Sequence, residues 1–231
     1  MKDFLFPSSC ALCGGSFINT CEIKYGICGQ CQSSLKLPEE RKCDICGKFL
    51  ISETGTCLPC RNREDKKSKH SYNRLWTLYP YTGKYRKLLA AYKFKKNLSL
   101  ANILAKKIME IIKENPVFND AVIVPVPPRP GKIKDTGWDQ VNHLIKCLKK
   151  LSKFYRINKC LKRKKSKIQK QLTRTERIEN LKGRIYLNGT APKTALIIDD
   201  VITTGSTMEV CSQVLKENGT ETVYGICLFY D

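Results

Sequence analysis

The run Ala195-Leu-Ile-Ile-Asp-Asp-Val-Ile-Thr-Thr-Gly-Ser-Thr207 restricts the fold more than any other stretch of the chain. Its four leading apolar residues read as a strand buried on both faces, and such strands belong to parallel sheets covered by helices. Two adjacent acids and a short polar loop then open a helix predicted over Ser206 to Glu217, which Asn218-Gly219 closes. Ligands of parallel sheets gather beyond the carboxyl ends of the strands, where a helix N-terminus offers unpaired N–H groups and a partial positive charge. Gly205 lets the backbone approach a ligand closely, and Thr203, Thr204, Ser206 and Thr207 add hydroxyl donors, a set suited to a phosphate. Asp199 and Asp200 cannot serve as phosphate ligands. They are suited to accept hydrogen bonds from a pair of ribose hydroxyls, or to assist a Mg²⁺ ion carried mainly by the ligand's own phosphates.

Elsewhere the apolar pattern alternates between the two periods. Leu75 to Tyr81, Ala121 to Val126 and Thr222 to Phe229 read as strands. Tyr85, Leu88, Leu89 and Tyr92 recur at helical spacing, as do Ile103, Leu104, Ile108, Ile111 and Ile112 behind a candidate N-cap at Ser99, and Val141, Leu144, Ile145, Leu148 and Leu151. This alternation predicts an α/β domain with a mostly parallel sheet flanked by helices. Between Lys146 and Arg184, sixteen Lys or Arg stand against two Glu, and the weak periodicity from Lys162 to Arg177 reads as a mobile basic loop.

The first sixty residues follow a different logic. Nine of the thirteen cysteines fall there, eight of them as Cys-x-x-Cys pairs: Cys10 with Cys13, Cys28 with Cys31, Cys43 with Cys46, and Cys57 with Cys60. With no export signal in view, the expected place is the cytoplasm, where cysteines stay thiols and read as metal ligands. Two knuckles supply the four soft ligands of a tetrahedral Zn²⁺, so the pattern predicts two structural zinc ions; iron–sulfur or redox chemistry is the alternative. Sequential ribbons fit the internal repeat better than cross-braced pairing does. Four thiolates leave no open position for water, which excludes a catalytic zinc. Cys21 is a spare, and Cys147, Cys160, Cys211 and Cys227 read as inert core residues. The expected organisation is a double zinc ribbon over residues 1–62, a linker over 63–74 centred on the polar run Arg61 to Lys69, and the α/β domain over 75–231.

The formal charge of +21 falls to about +17 once eight thiolates hold two zinc ions, and it still attracts polyanions. Tyr79, Tyr81, Tyr85, Tyr92 and Phe94 interleave with Lys84, Arg86, Lys87, Lys93, Lys95 and Lys96, a pattern that suits single-stranded nucleic acid. The competing reading puts the tyrosines in the core and the lysines in solvent. No apolar run approaches the roughly 20 residues a membrane span requires, so no membrane insertion is expected. His70 and His143 are assigned surface or packing roles, and no Ser/His/Asp or Cys/His constellation is present in the sequence.

The segment Ala195 to Thr207 resembles the phosphoribosyl pyrophosphate motif of the phosphoribosyltransferases, a hydrophobic strand, an acidic pair and a Thr-Thr-Gly-x-Thr loop. Val124-Pro-Val-Pro-Pro-Arg129, Gly137-Trp138-Asp139-Gln140, Tyr81 to Lys96 and Gln171 to Gly183, in order behind a double zinc ribbon, resemble the ComF competence-protein family. Trp138 and Asp139 stand where that family usually has Phe and Asn, and Ile168 where many members have Pro. The resemblance implies a type I phosphoribosyltransferase-like fold that binds phosphoribosyl pyrophosphate, or a related nucleotide, with Mg²⁺. It places Pro127, Pro128 and Arg129 against the pyrophosphate, with Arg174 and Arg177 closing over it. It also implies DNA uptake, with single-stranded DNA and a helicase-like translocase as partners, at the inner face of the membrane through those partners. Phosphoribosyl transfer in nucleotide salvage and non-catalytic nucleotide sensing are the alternatives, since no acceptor-base segment can be assigned.

Overall fold

The computed structural model describes residues 9–65, 69–152, 154–164, 181 and 183–231. In chain order its elements are α1 (Thr20–Tyr25), α2 (Gly29–Ser34), α3 (Leu58–Asp65), β1 (Arg74–Pro80), α4 (Gly83–Lys93), α5 (Leu100–Glu114), β2 (Val122–Pro125), α6 (Lys132–Thr136), α7 (Gln140–Leu151), β3 (Leu161–Arg163), β4 (Ile185–Leu187), β5 (Thr194–Ile202), α8 (Ser206–Glu217) and β6 (Thr222–Tyr230). Strands β1, β6, β5 and β2 lie side by side in that order, every neighbouring pair parallel. None of the described helices is long and apolar enough to cross a membrane.

Period-two alternation sends each strand's side chains into two separate cores. In β5, Leu196 and Ile198 join a core built with α4, α5 and α7, while Ala195 and Ile197 join a second core with α8 and the β3–β4 pair. The apolar stripe of α5 is fully engaged, with Ile103, Leu104, Ile108, Ile111 and Ile112 all buried. Each such side chain contributes about 1.5–3 kcal/mol, well above the helix-propensity differences of about 0.7 kcal/mol per residue. Asp139 caps α7, its Oδ1 accepting the Asn142 N–H at 2.8 Å. Ser99 precedes α5 as expected but makes no capping hydrogen bond.

One expectation changes. Lys162 and Arg163, assigned to a basic loop, lie in β3, which pairs antiparallel with β4; alternate residues Leu161 and Ile185 are buried, and that burial overrides the local charge. Over the stretch between ribbon and domain, α3 continues to Asp65, His70 and Ser71 bond to α8, and Arg74 opens β1. Each ribbon carries an isolated antiparallel bridge around its leading knuckle, Ser9 to Ser16 and Lys42 to Phe49.

Both ribbons dock on the α/β domain. The first inserts Cys10, Ile27 and Leu35 into the core under α4 and α5, and the Tyr79 hydroxyl donates to the Leu35 carbonyl at 3.0 Å. The second runs along the free edge of β1, where Leu75 N–H donates to Ile45 O at 2.8 Å and Thr77 Oγ1 donates to Gly47 O at 2.5 Å. Gly47 has φ +69°, and a Cβ there would stand 2.8 Å from the Leu75 carbonyl oxygen, so only glycine admits this approach. The ribbon thus covers an edge strand that would otherwise offer unpaired N–H and C=O groups to another chain.

Candidate ribose-phosphate site and zinc centres

Asp199 and Asp200 lie in the last part of β5, so the sheet itself sets these carboxylates near its carboxyl edge. Asp199 is buried and its Oδ1 accepts the Asp200 N–H at 2.8 Å, which fixes the first carboxylate against the backbone of the second. Asp200 is turned outward to an ion pair, Oδ2 to Lys93 Nζ at 3.1 Å. The chain then turns through Thr203 and Thr204 to Gly205, whose φ of +73° caps α8 without a side-chain hydrogen bond. Thr204 Oγ1 and Ser206 Oγ lie 2.8 Å apart, and residues Thr203 to Thr207 line a recess of about 30 Å³ with Asp199 at its edge. The seven residues singled out in this segment run from the end of β5 through the turn into the start of α8.

Burial raises the pKa of Asp199 well above the usual carboxylate range, and the neighbouring Asp200 charge raises it further; Lys93 opposes this only in part. A carboxyl raised in the folded state contributes stability that is fully present below its unfolded-state pKa and is lost as pH rises through the folded-state value. Asp199→Asn removes the ionisation while keeping the acceptor for the Asp200 N–H. We expect it to stabilise the ligand-free protein by about 1 kcal/mol at pH 8 and to matter less at pH 4. Urea midpoints at the two pH values check this, and a lower midpoint for the variant at pH 8 would contradict it.

A second set of cations flanks the loop after β2. Pro127 is buried, Pro128 half-buried and Arg129 exposed, and Val126 N–H donates to Ile198 O at 3.0 Å, aligning this loop with the end of β5. Arg163 in β3 and Arg184 just before β4 complete the group. Burial lowers the Arg163 guanidinium below its ordinary value, the Asp199 charge opposes this, and Arg129 and Arg184 add to it, so all four groups lie within electrostatic reach. Arg163 Nε is buried and has no hydrogen-bond partner among the described residues. It lines a recess of about 350 Å³ together with Pro127, Pro128, Leu161, Lys162 and Tyr186. Sequence reasoning missed Arg163 and Arg184, whose positions follow from the β3–β4 pairing. Arg174 and Arg177 lie outside the described residues.

The basic segment is divided between roles. Lys84, Arg86, Lys87 and Lys95 are exposed, whereas Lys93 is half-buried and held at Asp200 and Lys96 Nζ donates to Thr136 O at 2.8 Å. Tyr79 and Tyr92 are fully buried and Phe94 is 69% exposed, so the core claims most of the aromatic pattern at this helix.

The cysteines assemble as two sets, Cys10, Cys13, Cys28 and Cys31, and Cys43, Cys46, Cys57 and Cys60, each with its four sulfurs within 4.8 Å of one another. The pairing is sequential. Zinc bonded to sulfur at about 2.3 Å requires sulfurs about 3.8 Å apart, and Cys13 and Cys28 stand at 3.7 Å, Cys46 and Cys57 at 3.6 Å. Both sets therefore fit a tetrahedral zinc. Cys21 is exposed, and Cys147, Cys160, Cys211 and Cys227 are all buried.

The Double zinc ribbon domain matches residues 1–61. Competence protein F of Haemophilus influenzae is 26% identical over 230 residues, covering 94% of this chain and 95% of its own. Competence protein ComFC of Streptococcus pneumoniae is 24% identical over 198 residues, covering 85% and 84%, and ComFC of Bacillus subtilis is 26% identical, covering 84% and 79%. A crystal structure of a hypoxanthine phosphoribosyltransferase from Staphylococcus aureus aligns with TM-score 0.37 and 15% identity over 57% of this chain, spanning less than two thirds of its own length at 63%. The chain is of the class that joins an N-terminal double zinc ribbon to an α/β domain with a parallel sheet. Over most of its length it is similar to competence proteins of the ComF type.

Proposed function

We propose that this chain serves DNA uptake in natural transformation and binds phosphoribosyl pyrophosphate with Mg²⁺ in the turn from Asp199 to Thr207. The observation that carries the reading is an acidic pair in the last part of β5 followed by a glycine-capped helix N-terminus, with Arg129, Arg163 and Arg184 within electrostatic reach of one another and Arg163 within reach of Asp199. The turn suits a 5-phosphate, the two carboxylates suit ribose hydroxyls, and the arginines suit a pyrophosphate through bidentate pairing. Among the described residues, groups of three or more metal-ligating side chains occur only as the two cysteine sets, so Mg²⁺ would arrive on the ligand's phosphates. Exposed Lys84, Arg86, Lys87 and Lys95 beside Phe94 form the face offered to single-stranded DNA, and a helicase-like translocase is the protein partner this reading assigns.

The recess of about 350 Å³ beside Arg163 supports a second reading, in which an acceptor base enters there and phosphoribosyl transfer takes place. Calorimetric titration of the zinc-loaded protein with phosphoribosyl pyrophosphate and Mg²⁺ tests the first reading. Binding by the wild type, weakened at least about 100-fold in Asp199→Asn/Asp200→Asn, is the expected result. Repeating it with single-stranded DNA shows whether the two ligands are linked, since any change in affinity is reciprocal. A wild-type protein that takes up no phosphoribosyl pyrophosphate would sink the reading.

A further inference from the structure

Helix α8 begins at the phosphate-binding turn, and the acid in its first turn is directed away from that turn. Glu209 is buried; its Oε2 lies 2.7 Å from His70 Nδ1 and 3.5 Å from Arg63 Nη1, and its Oε1 accepts the Ser71 N–H at 2.8 Å. The other ring nitrogen of His70, Nε2, stands 3.6 Å from the sulfur of Cys60, a member of the second cysteine set. The ring is held flat against Tyr72, centroids 4.5 Å apart at 23°. A zinc-bound thiolate and a carboxylate both accept hydrogen bonds, and an imidazole between them links the metal site to the helix through two short steps. The Glu209 N–H donates to Gly205 O at 2.9 Å, so the backbone held in this way is the first turn itself.

Two features argue that this is more than filling of space. A carboxylate one turn into a phosphate-binding helix repels the phosphate unless it is neutralised, and the Arg63 guanidinium stands 3.5 Å from it on the ribbon side. The link is also one-sided: the first ribbon sends its polar contacts to β1, α4 and α5 through Tyr79, Lys84 and Asn102.

We propose that His70 and Glu209 are positioning residues through which the second zinc ribbon holds the first turn of α8 in the geometry that receives a phosphate. The proposal rests on the reading of that turn as a ribose-phosphate site, and its test has one arm that needs no ligand. Amide hydrogen exchange over residues 206–210 is measured in wild type, His70→Ala, His70→Asn and Glu209→Gln, each confirmed by metal assay to carry zinc at both cysteine sets. Exchange roughly tenfold faster in His70→Ala and Glu209→Gln, with protection restored in His70→Asn, whose amide replaces the Nδ1 donor, is the expected result. Titration with phosphoribosyl pyrophosphate and Mg²⁺ should then show a roughly tenfold loss of affinity in the same two variants. Charge removal alone predicts the opposite for Glu209→Gln, a phosphate bound equally or more tightly. Unchanged protection in both variants overturns the proposal, even if the ligand binds. Faster exchange in a protein whose wild type takes up no ligand leaves the link standing and removes the ribose-phosphate reading instead.

Discussion

Replacing Cys46 by serine is expected to reduce bound zinc from two ions per chain to one and to destabilise the protein by about 5 kcal/mol or more. Two terms add. The closed four-sulfur site holds the ribbon together, since metal binding free energy is folding free energy in a module with so small a core of its own. Among the described residues, Leu50 is the only buried non-cysteine residue of that core, with Ile45 and Tyr230 packed against it. The ribbon also shields the edge of β1, so its loss bares the Leu75 N–H and the strand around it. Concentration-dependent aggregation should therefore accompany the lower urea midpoint. Cys21→Ser, at an exposed cysteine outside both sets, is the control and should change neither zinc content nor midpoint. A Cys46→Ser protein with one zinc and an unchanged midpoint would show that the domain does not depend on the ribbon.

Arg163→Ala is expected to weaken phosphoribosyl pyrophosphate binding about 100-fold while leaving stability unchanged or slightly higher. The loss of affinity follows from removing a half-buried guanidinium that faces the site, a charge-assisted contact to phosphate amounting to about 1.5–3 kcal/mol. The stability result follows from Nε, which is buried without a partner in the ligand-free protein and gains nothing there. Arg163→Lys should restore little, because a point charge does not reproduce a planar fork. Calorimetry paired with urea midpoints checks both halves, and an affinity within twofold of wild type would remove Arg163 from the site.

The strands and the acidic turn were legible because their signals are local. Ala195 to Ile198 is apolar at every position, as burial on both faces demands, and the hydroxyl-rich turn follows without a gap. Ribbon pairing was legible for the same reason, since each half of the repeat carries its own four sulfurs. Arg163 was not, because it sits among sixteen cations between Lys146 and Arg184, and its burial depends on a three-residue strand pairing with another some twenty positions on. Nor was His70, whose carboxylate partner lies 139 residues away. Tyr79 and Tyr92 follow the competing reading given for them: next to lysines they suit base stacking, yet tertiary packing puts both in the core.

The docking of the second ribbon along β1 also bears on how the chain is made. On its other side β1 pairs with β6, which is translated long after it, with Leu75 opposite Gly225. Until β6 has been made, the partner within reach of β1 is the ribbon translated just before it. Zinc available during translation thus decides whether an apolar strand spends that interval covered or bare, and the N-terminal module acts as an internal escort for the sheet it will later flank.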